Sequence, residues 1–167
     1  MQTNLYQITP DDQPALAEIG ALLRAGGLAG IPTETVYGLA ANALDGQAVA
    51  KIFQAKGRPQ DNPLIVHIAA FSQLYPLVSE VPTQAIRLAR AYWPGPLTMI
   101  LPKSPAIPEE VSAGLETVAV RMPSHPLARA IIRAAGVPLA APSANLSGSP
   151  SPTTAQHVLD DMAGRIE

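Results

Sequence analysis

The most informative part of the sequence is KGRPQDNPL, residues 56–64, where a lysine and an arginine flank a glycine and two prolines stiffen the backbone. A helical pattern of apolar residues, with Asp45 as its N-cap, ends just before this loop, and the apolar run LIVHI (64–68) follows it as a buried strand. The strands predicted at LAGI (28–31) and Val137–Ala141 extend the same alternation along the chain. Strands that alternate with helices indicate an α/β domain with a largely mixed sheet.

Weaker local patterns predict the remaining elements. Leu5–Ile8 alternates like an edge strand, Thr9 is the expected N-cap of the first helix, and residues 32–38 form an expected turn. Pro126–Ala135 has helical spacing, and Thr153 opens a last helix. The other predicted elements are a short helix at 71–78, a helix at 81–92, a strand at 97–101, a loop at 102–115 and a strand at 118–121.

Composition narrows the class of protein. The chain has 167 residues, 47% of them hydrophobic and 14% charged, which predicts one folded domain with a large core and excludes a disordered chain. The absence of cysteine excludes disulfides and thiolate metal sites. A net charge of −2 gives no general attraction to nucleic acid. With no basic and apolar leader and no apolar run of membrane-spanning length, the expected location is cytoplasmic, with no membrane partner.

Lys56 and Arg58 are the first candidates for chemistry. Two residues apart in an extended loop, they can point along one face, and Gly57 between them allows a ligand to approach the backbone. A lysine supplies a compact charge for phosphate, and an arginine supplies a planar fork. The competing interpretation is a solvated turn in which Lys56 only complements the C-terminus of the preceding helix.

The expected turn at 32–38 is rich in hydroxyl groups. Thr33, Thr35 and Tyr37 follow one another with a period of two, directly after a predicted strand. Hydroxyls and free backbone N–H groups at the end of a strand suit a polar ligand in an α/β sheet. The alternative is that Thr33 and Glu34 only cap the turn.

Ser143 and Asn145 follow the strand at 137–141, and Pro142 fixes the turn at the end of that strand. Such loops can surround phosphates with backbone N–H groups, although an ordinary serine-, proline- and glycine-rich loop is the alternative. His67 lies in an apolar strand, where a histidine is more often a satisfied core residue than a ligand. No second histidine or carboxylate stands at metal-ligand spacing, so no dedicated metal site is predicted. A magnesium ion held mainly by phosphates would leave little trace in the sequence.

Five motifs occur in unbroken order along the chain. They are PTETVYGL (32–39), AKGRP (55–59) with NPLIVH (62–67), WPGPLT (93–98), VAVRMP (118–123) and APSANLSG (141–148). Together they resemble the YrdC-like family of threonylcarbamoyl-adenylate synthases. The resemblance implies an open, twisted mixed sheet flanked by helices, with a concave face that binds ATP, L-threonine and bicarbonate. It also implies synthesis of threonylcarbamoyl-AMP with release of pyrophosphate, after which other proteins transfer the threonylcarbamoyl group to an adenosine of tRNA.

The same resemblance assigns roles to individual residues. Lys56 and Arg58, the expected catalytic residues, would hold the nucleotide phosphates and, with Mg²⁺, stabilise the charge that grows on them. The other residues of the implied ATP site are Asn62, Thr117, Ser143, Asn145 and Ser151. The implied threonine site comprises Thr35, His67, Arg121 and Ala141.

Members of that family usually continue past the last predicted helix into further strands. The expectation is therefore one YrdC-like domain over residues 1–167 that lacks those strands. Two other functions stay open. The first is a non-catalytic RNA-binding module that uses the concave face. The second is a domain that handles carbamoyl phosphate, since YrdC-like modules also occur in carbamoyltransferases. The intact PTETVYGL motif, with His67 and Arg121, favours threonine over carbamoyl phosphate.

Overall fold

Six strands form one mixed sheet in the computed structural model, which describes residues 2–167. The strands are β1 Ala29–Ile31, β2 Gly38–Asn42, β3 Ile65–His67, β4 Thr98–Pro102, β5 Thr117–Arg121 and β6 Leu139–Ala140. Their order across the sheet is β1-β2-β6-β3-β5-β4, and β3 with β5 is the one parallel pair within residues 2–167. The predicted α/β class with an open mixed sheet is confirmed.

Helices lie before, between and after these strands. They are α1 Gln13–Arg24, α2 Gly46–Lys56, α3 Thr83–Tyr92, α4 Glu109–Ser112, α5 Pro126–Ala135 and α6 Ala155–Met162, with single 3-10 turns at Phe71–Gln73 and Tyr75–Leu77. As predicted, Asp45 caps α2: its carboxylate accepts from the N–H groups of Gln47 at 2.9 Å and Ala48 at 3.3 Å. The helix ends at Gly57, whose φ of +63° lies in the left-handed region that favours glycine. Within residues 2–167 no helix has both the length and the hydropathy needed to cross a bilayer.

Two predictions near the N-terminus are wrong. Leu5–Ile8 forms no strand and is mostly exposed, because only Ile8 packs against the core. The first helix also begins later than predicted, since α1 is capped by Asp12 rather than by Thr9. The Asp12 carboxylate accepts from the Ala15 N–H at 3.3 Å, and Thr9 lies in the turn that precedes this cap.

Three further elements differ from the prediction. No strand was predicted at β2, whose first residue, Gly38, closes the expected turn; its sequence GLAAN has little strand propensity, yet it pairs with β1 on one side and β6 on the other. α4 lies inside the segment expected to be loop, and the short helix expected at 71–78 is a pair of 3-10 turns. The last helix is capped by Thr154 rather than opened by Thr153, a shift of one residue.

One face of the sheet is covered across most of its width. Leu39 of β2, Val66 of β3 and Val120 of β5 pack in one core with Ile52 and Phe53 of α2, and this core continues into α3 and α4. Side chains alternate between the two faces of a strand, so the neighbours of these residues point to the other side of the sheet.

The opposite face is covered over only half of its width. Ala40 of β2 and Leu139 of β6 pack there against the buried sides of α1 and α5. Past β6, no helix of residues 2–167 covers the sheet: Ile65 of β3 and Ala119 of β5 are only half-buried, and Ile100 of β4 is 69% exposed. We call this uncovered surface of β3, β5 and β4 the open face.

Candidate functional site

The strand register places a polar row on the open face, at the carboxyl ends of β3 and β5. His67 is the parallel partner of Arg121, and Thr98 of β4 is the antiparallel partner of the same arginine. Directly paired residues share a face of the sheet, so the three side chains lie in one row. His67 is only 3% exposed and Arg121 only 8%. Two residues of the implied threonine site are therefore neighbours in the fold.

Arg121 is held by three acceptors. Its Nε donates to the Gly95 carbonyl at 3.4 Å, its Nη1 donates to the Thr35 hydroxyl at 3.2 Å, and its Nη2 donates to the Glu34 carboxylate in an ion pair. A guanidinium has five N–H groups, so one on each Nη atom has no acceptor among residues 2–167. These two N–H groups are therefore left to donate to a ligand, and an arginine is well suited to bind a carboxylate.

Glu34 is a site residue that sequence analysis missed. Its Oε1 accepts from Arg121, and its Oε2 accepts from the N–H and the hydroxyl of Ser124, both at 2.6 Å. Burial raises the pKa of Glu34, but the hydrogen bonds from Ser124, the residue's own backbone N–H and the charge of Arg121 together outweigh burial, so the net pKa is lowered. Glu34 is therefore ionised at neutral pH, in an arginine cluster that comprises Arg121, Glu34, Thr35 and His67.

His67 is neutral at physiological pH. Its Nδ1 lies 3.1 Å from the Ile65 carbonyl oxygen, and because a carbonyl can only accept, Nδ1 donates in this hydrogen bond. Burial, and next the charge of Arg121, lower the pKa of His67 from 6.5 to about 4. The imidazole is thus an uncharged, buried group beside Arg121.

The depressed pKa of His67 predicts a loss of stability in mild acid. Between pH 6.5 and about 4 the unfolded chain binds a proton at His67 that the folded chain does not bind. The free energy of unfolding therefore falls as the pH is lowered through this window, by about 3 kcal/mol at its lower end. Urea unfolding of the wild type and of His67→Gln at a series of pH values measures this difference.

The matched control is His157→Gln, which changes an exposed histidine in the same way. We expect the His157→Gln curve to follow that of the wild type, whereas the His67→Gln curve should fall less steeply between pH 6.5 and 4. Parallel curves for all three proteins would contradict a neutral, buried His67.

A second cluster lies at the amino end of β3. The Lys56 ammonium, at the end of α2, donates to the carbonyl oxygens of Ser143 at 2.5 Å and Asn145 at 2.6 Å. Lys56 is 3% exposed, and burial, with the neighbouring Arg58 charge, lowers its pKa to about 8, while Asp161 opposes the shift. Lys56 thereby joins α2 to the loop that follows β6, and one of its three N–H groups has no acceptor within residues 2–167.

Two buried polar atoms beside Lys56 also have no hydrogen-bond partner among residues 2–167. They are Nε of Arg58 and Oδ1 of Asn145. The Arg58 guanidinium lies over the Phe53 ring, 5.5 Å from its centroid, and the Asn145 amide nitrogen donates to Ser149 and Leu146. One buried donor and one buried acceptor are therefore left without a hydrogen bond at this place. We call Lys56, Arg58, Ser143 and Asn145 the lysine cluster.

The remaining residues of the implied sites lie around these two clusters. Asn62 and Ser151 are exposed in loops, and Thr117 is half-buried at the start of β5; none of the three side chains is hydrogen-bonded to the lysine cluster within residues 2–167. Ala141 is buried, and its N–H donates to the Ile65 carbonyl at 3.0 Å. Among residues 2–167, no group of three or more histidine, aspartate or glutamate side chains could hold a metal ion.

The two clusters lie at opposite ends of the same parallel strands. The loop 56–64 leads into the amino end of β3, Thr117 begins β5, and Arg121 ends it. At about 3.3 Å per residue, the Cα atoms of Thr117 and Arg121 are roughly 13 Å apart. An elongated ligand on the open face could therefore reach both clusters.

The loop 32–37 runs between the clusters. At one end the Tyr37 carbonyl accepts from the Ala144 N–H at 2.9 Å, inside the loop that Lys56 holds. At the other end Glu34 is bonded to Arg121 and Ser124. One short segment is thus bonded to the arginine cluster and to the loop that carries Ser143 and Asn145.

Several known proteins are similar to this chain. Residues 21–167 match the family model Sua5_yciO_yrdC, described as telomere recombination. The chain is 59% identical over 145 residues to the threonylcarbamoyl-AMP synthase of Pyrococcus abyssi, and this alignment covers 87% of this chain and 43% of that protein. It is also 59% identical over 156 residues to the threonylcarbamoyl-AMP synthase of Bacillus subtilis, and this alignment covers 93% of this chain and 45% of that protein.

A solved structure has the same fold. The crystal structure of P. abyssi Sua5 complexed with L-threonine matches with a TM-score of 0.92 and 53% identity, over 97% of this chain and 47% of that chain. The chain therefore spans a little less than half the length of the curated relatives and of this structure.

Proposed function

The chain belongs to the Sua5/YciO/YrdC family, and from this premise we propose that it makes threonylcarbamoyl-AMP from L-threonine, bicarbonate and ATP with release of pyrophosphate. The observation that carries the proposal is the pair of polar clusters at opposite ends of β3 and β5, on one open face. The arginine cluster is complementary to an amino acid, and the lysine cluster is complementary to phosphates. Bringing the two substrates onto one surface is what this reaction requires.

The arginine cluster is the proposed threonine site. The carboxylate of L-threonine would take the two N–H groups of Arg121 that have no acceptor within residues 2–167. The Thr35 hydroxyl and the neutral imidazole of His67 lie beside that fork and would bind the other polar groups of the substrate, with the backbone at Ala141 closing the pocket. P. abyssi Sua5 has been crystallised in complex with L-threonine, which supports threonine as the ligand proposed here.

The lysine cluster is the proposed phosphate site. The third N–H group of Lys56 and the guanidinium of Arg58 would donate to the phosphate oxygens of ATP. Asn62, Thr117, Ser143 and Ser151 would line the rest of the nucleotide site. Both cations are partly removed from water, so their attraction for a phosphate is stronger than that of solvated side chains.

The proposed reaction has two bond-forming steps. The amine nitrogen of threonine bonds to the carbon of bicarbonate, water and a proton leave, and a carbamate results. A carbamate oxygen then bonds to the α-phosphorus of ATP, the bond from that phosphorus to the bridging oxygen breaks, and pyrophosphate leaves. Lys56 and Arg58 stabilise the negative charge that grows on the phosphates, and alignment of the substrates contributes on the order of 7–11 kcal/mol in ideal cases.

A magnesium ion bound with the nucleotide is part of the proposal. The Oδ1 atom of Asn145 fits such an ion, because it is a buried oxygen with no donor among residues 2–167. When bound, Mg²⁺ would neutralise charge on the phosphates.

We propose that the product serves tRNA modification. Threonylcarbamoyl-AMP is an activated acyl donor, so we propose that separate proteins transfer its threonylcarbamoyl group to tRNA, and that tRNA is reached only through them. We propose a cytoplasmic location for this work. The net charge of −2 agrees with a chain that does not itself bind the RNA backbone strongly.

Arg58→Ala is expected to lower the rate of threonine-dependent pyrophosphate release at least about tenfold, because it removes a charged donor from the phosphate site. The measurement is pyrophosphate release from ATP, bicarbonate and Mg²⁺, with and without L-threonine. Arg90→Ala is the matched control, since Arg90 is exposed on α3, which packs against the covered face of the sheet.

Release that does not need L-threonine, or that Arg58→Ala leaves unchanged, would contradict the proposal. If the wild type releases no pyrophosphate, calorimetry with ATP and L-threonine separates the remaining cases. If both ATP and L-threonine bind, the two proposed sites stand and only the release of pyrophosphate is missing. Binding of neither, together with a salt-sensitive affinity for RNA, would favour the RNA-binding alternative.

A further inference from the structure

The arginine cluster presents both signs of charge to the open face. The side chains of Arg121 and Glu34 are 10% and 21% exposed, so each retains surface that a ligand can contact. His67 beside them is neutral, because burial and the Arg121 charge lower its pKa to about 4. The cluster therefore has no net charge, and a positive group and a negative group lie side by side within it.

Glu34 has an acceptor position left next to the guanidinium. Each oxygen of an ionised carboxylate accepts about two hydrogen bonds. Oε2 already has two donors, the N–H and the hydroxyl of Ser124, whereas Oε1 has one donor, Arg121, within residues 2–167. Ser124 thus fixes the carboxylate, and Oε1, which is bonded to Nη2 of Arg121, can accept one more hydrogen bond.

A ligand with a carboxylate alone is a poor match for this arrangement. Its charge would be attracted by Arg121 and repelled by Glu34 at a similar distance. An α-amino acid carries a carboxylate and an ammonium group on one carbon, so it can satisfy both partners at once.

We propose that Glu34 binds the α-ammonium group of the amino-acid substrate through Oε1 while Arg121 binds its carboxylate. Glu34 thereby selects amino acids over hydroxy acids and keto acids of the same shape. The inference rests on the proposed function, and it adds to that function a specificity-determining residue and the physical basis of the selection.

A purely structural ion pair would behave differently. If Glu34 only held Arg121 in place, its removal would misplace the guanidinium and weaken every carboxylate ligand alike. The ratio of two affinities, for ligands that differ only in the amine, would then stay constant. That ratio therefore separates substrate selection from support of Arg121.

The test compares L-threonine with its α-hydroxy analogue, 2,3-dihydroxybutanoate of the same configuration, by calorimetry in the presence of ATP. We expect the wild type to bind L-threonine at least tenfold more tightly than the analogue. In Glu34→Gln the ratio should fall towards one, because the loss of charge weakens binding of the ammonium and relieves repulsion of the analogue. Glu34→Asp, which keeps the charge on a shorter side chain, should restore part of the preference.

Glu109→Gln is the matched control. Glu109 forms an exposed ion pair with Lys103, so the same substitution there should leave the ratio at its wild-type value. An unchanged ratio in folded Glu34→Gln would overturn the inference and leave the proposed function standing. If that variant does not fold, the wild type decides alone, since equal affinities for both ligands would overturn the inference as well. Absence of L-threonine binding to the wild type would overturn the proposed function together with it.

Discussion

Replacing Arg121 by alanine is expected to weaken L-threonine binding at least about 100-fold and to stop threonine-dependent pyrophosphate release. The substitution removes the fork that would receive the carboxylate. It also leaves the Glu34 carboxylate, still fixed by Ser124, facing the carboxylate of the ligand. Truncation of one partner of a buried, hydrogen-bonded charge pair typically costs about 2–5 kcal/mol, and a 100-fold change corresponds to about 2.7 kcal/mol.

Calorimetric titration with L-threonine and, separately, with ATP measures this effect. The affinity for ATP should change little, because the proposed phosphate site lies at the other end of β3 and β5. Arg121→Lys, which keeps the charge without the fork, should give an intermediate loss, and Arg90→Ala on the exposed side of α3 should give none. A folded Arg121→Ala variant that binds L-threonine as the wild type does would exclude Arg121 from the substrate site.

Lys56→Met should both destabilise the fold and weaken ATP binding. The ammonium group is the donor to two carbonyl oxygens, of Ser143 and Asn145, and the substitution leaves both without it. A buried polar group left without its partner costs about 1–3 kcal/mol, and relief of the buried charge offsets part of this, so the expected loss is about 2–3 kcal/mol. The measurements are urea unfolding at neutral pH and calorimetric titration with ATP.

Lys51→Met is the control on the same helix. Lys51 is exposed and donates to one carbonyl, that of Gly26, at 2.6 Å. Its loss should lower the free energy of unfolding by less than about 1 kcal/mol, because water can replace the ammonium there. Equal effects of the two substitutions would show that the contacts of Lys56 do not organise the loop after β6.

The sequence predicts those parts of the fold that carry their own local signals. α2 has both a capping aspartate and a terminal glycine, and α5 begins at a proline and ends at Gly136 with a φ of +68°. β2 has no such signal, because its small residues form a strand only through their partners. Of those partners, β1 is near in sequence, whereas β6 begins about a hundred residues later, at Leu139.

The site shows the same division between local and distant information. Spacing alone indicates that Lys56 and Arg58 suit phosphate, but the contacts of Lys56 with Ser143 and Asn145 span 87 and 89 residues. The ion pair of Glu34 with Arg121 spans 87 residues, so Glu34 read alone suggests only a turn cap. Such pairs depend on strand register and on the path of a loop, which no short pattern encodes. The roles assigned to the individual residues stay predictions.

The loop 32–37 is bonded at one end to the segment after β6 and at the other to Arg121 and Ser124. A ligand at either proposed site would restrict the same short loop, so a second ligand would find part of that ordering already done. Thermodynamic linkage then imposes a symmetry. The factor by which the nucleotide raises the affinity for the amino acid equals the factor by which the amino acid raises the affinity for the nucleotide. Each substrate would in this sense be an effector of the other.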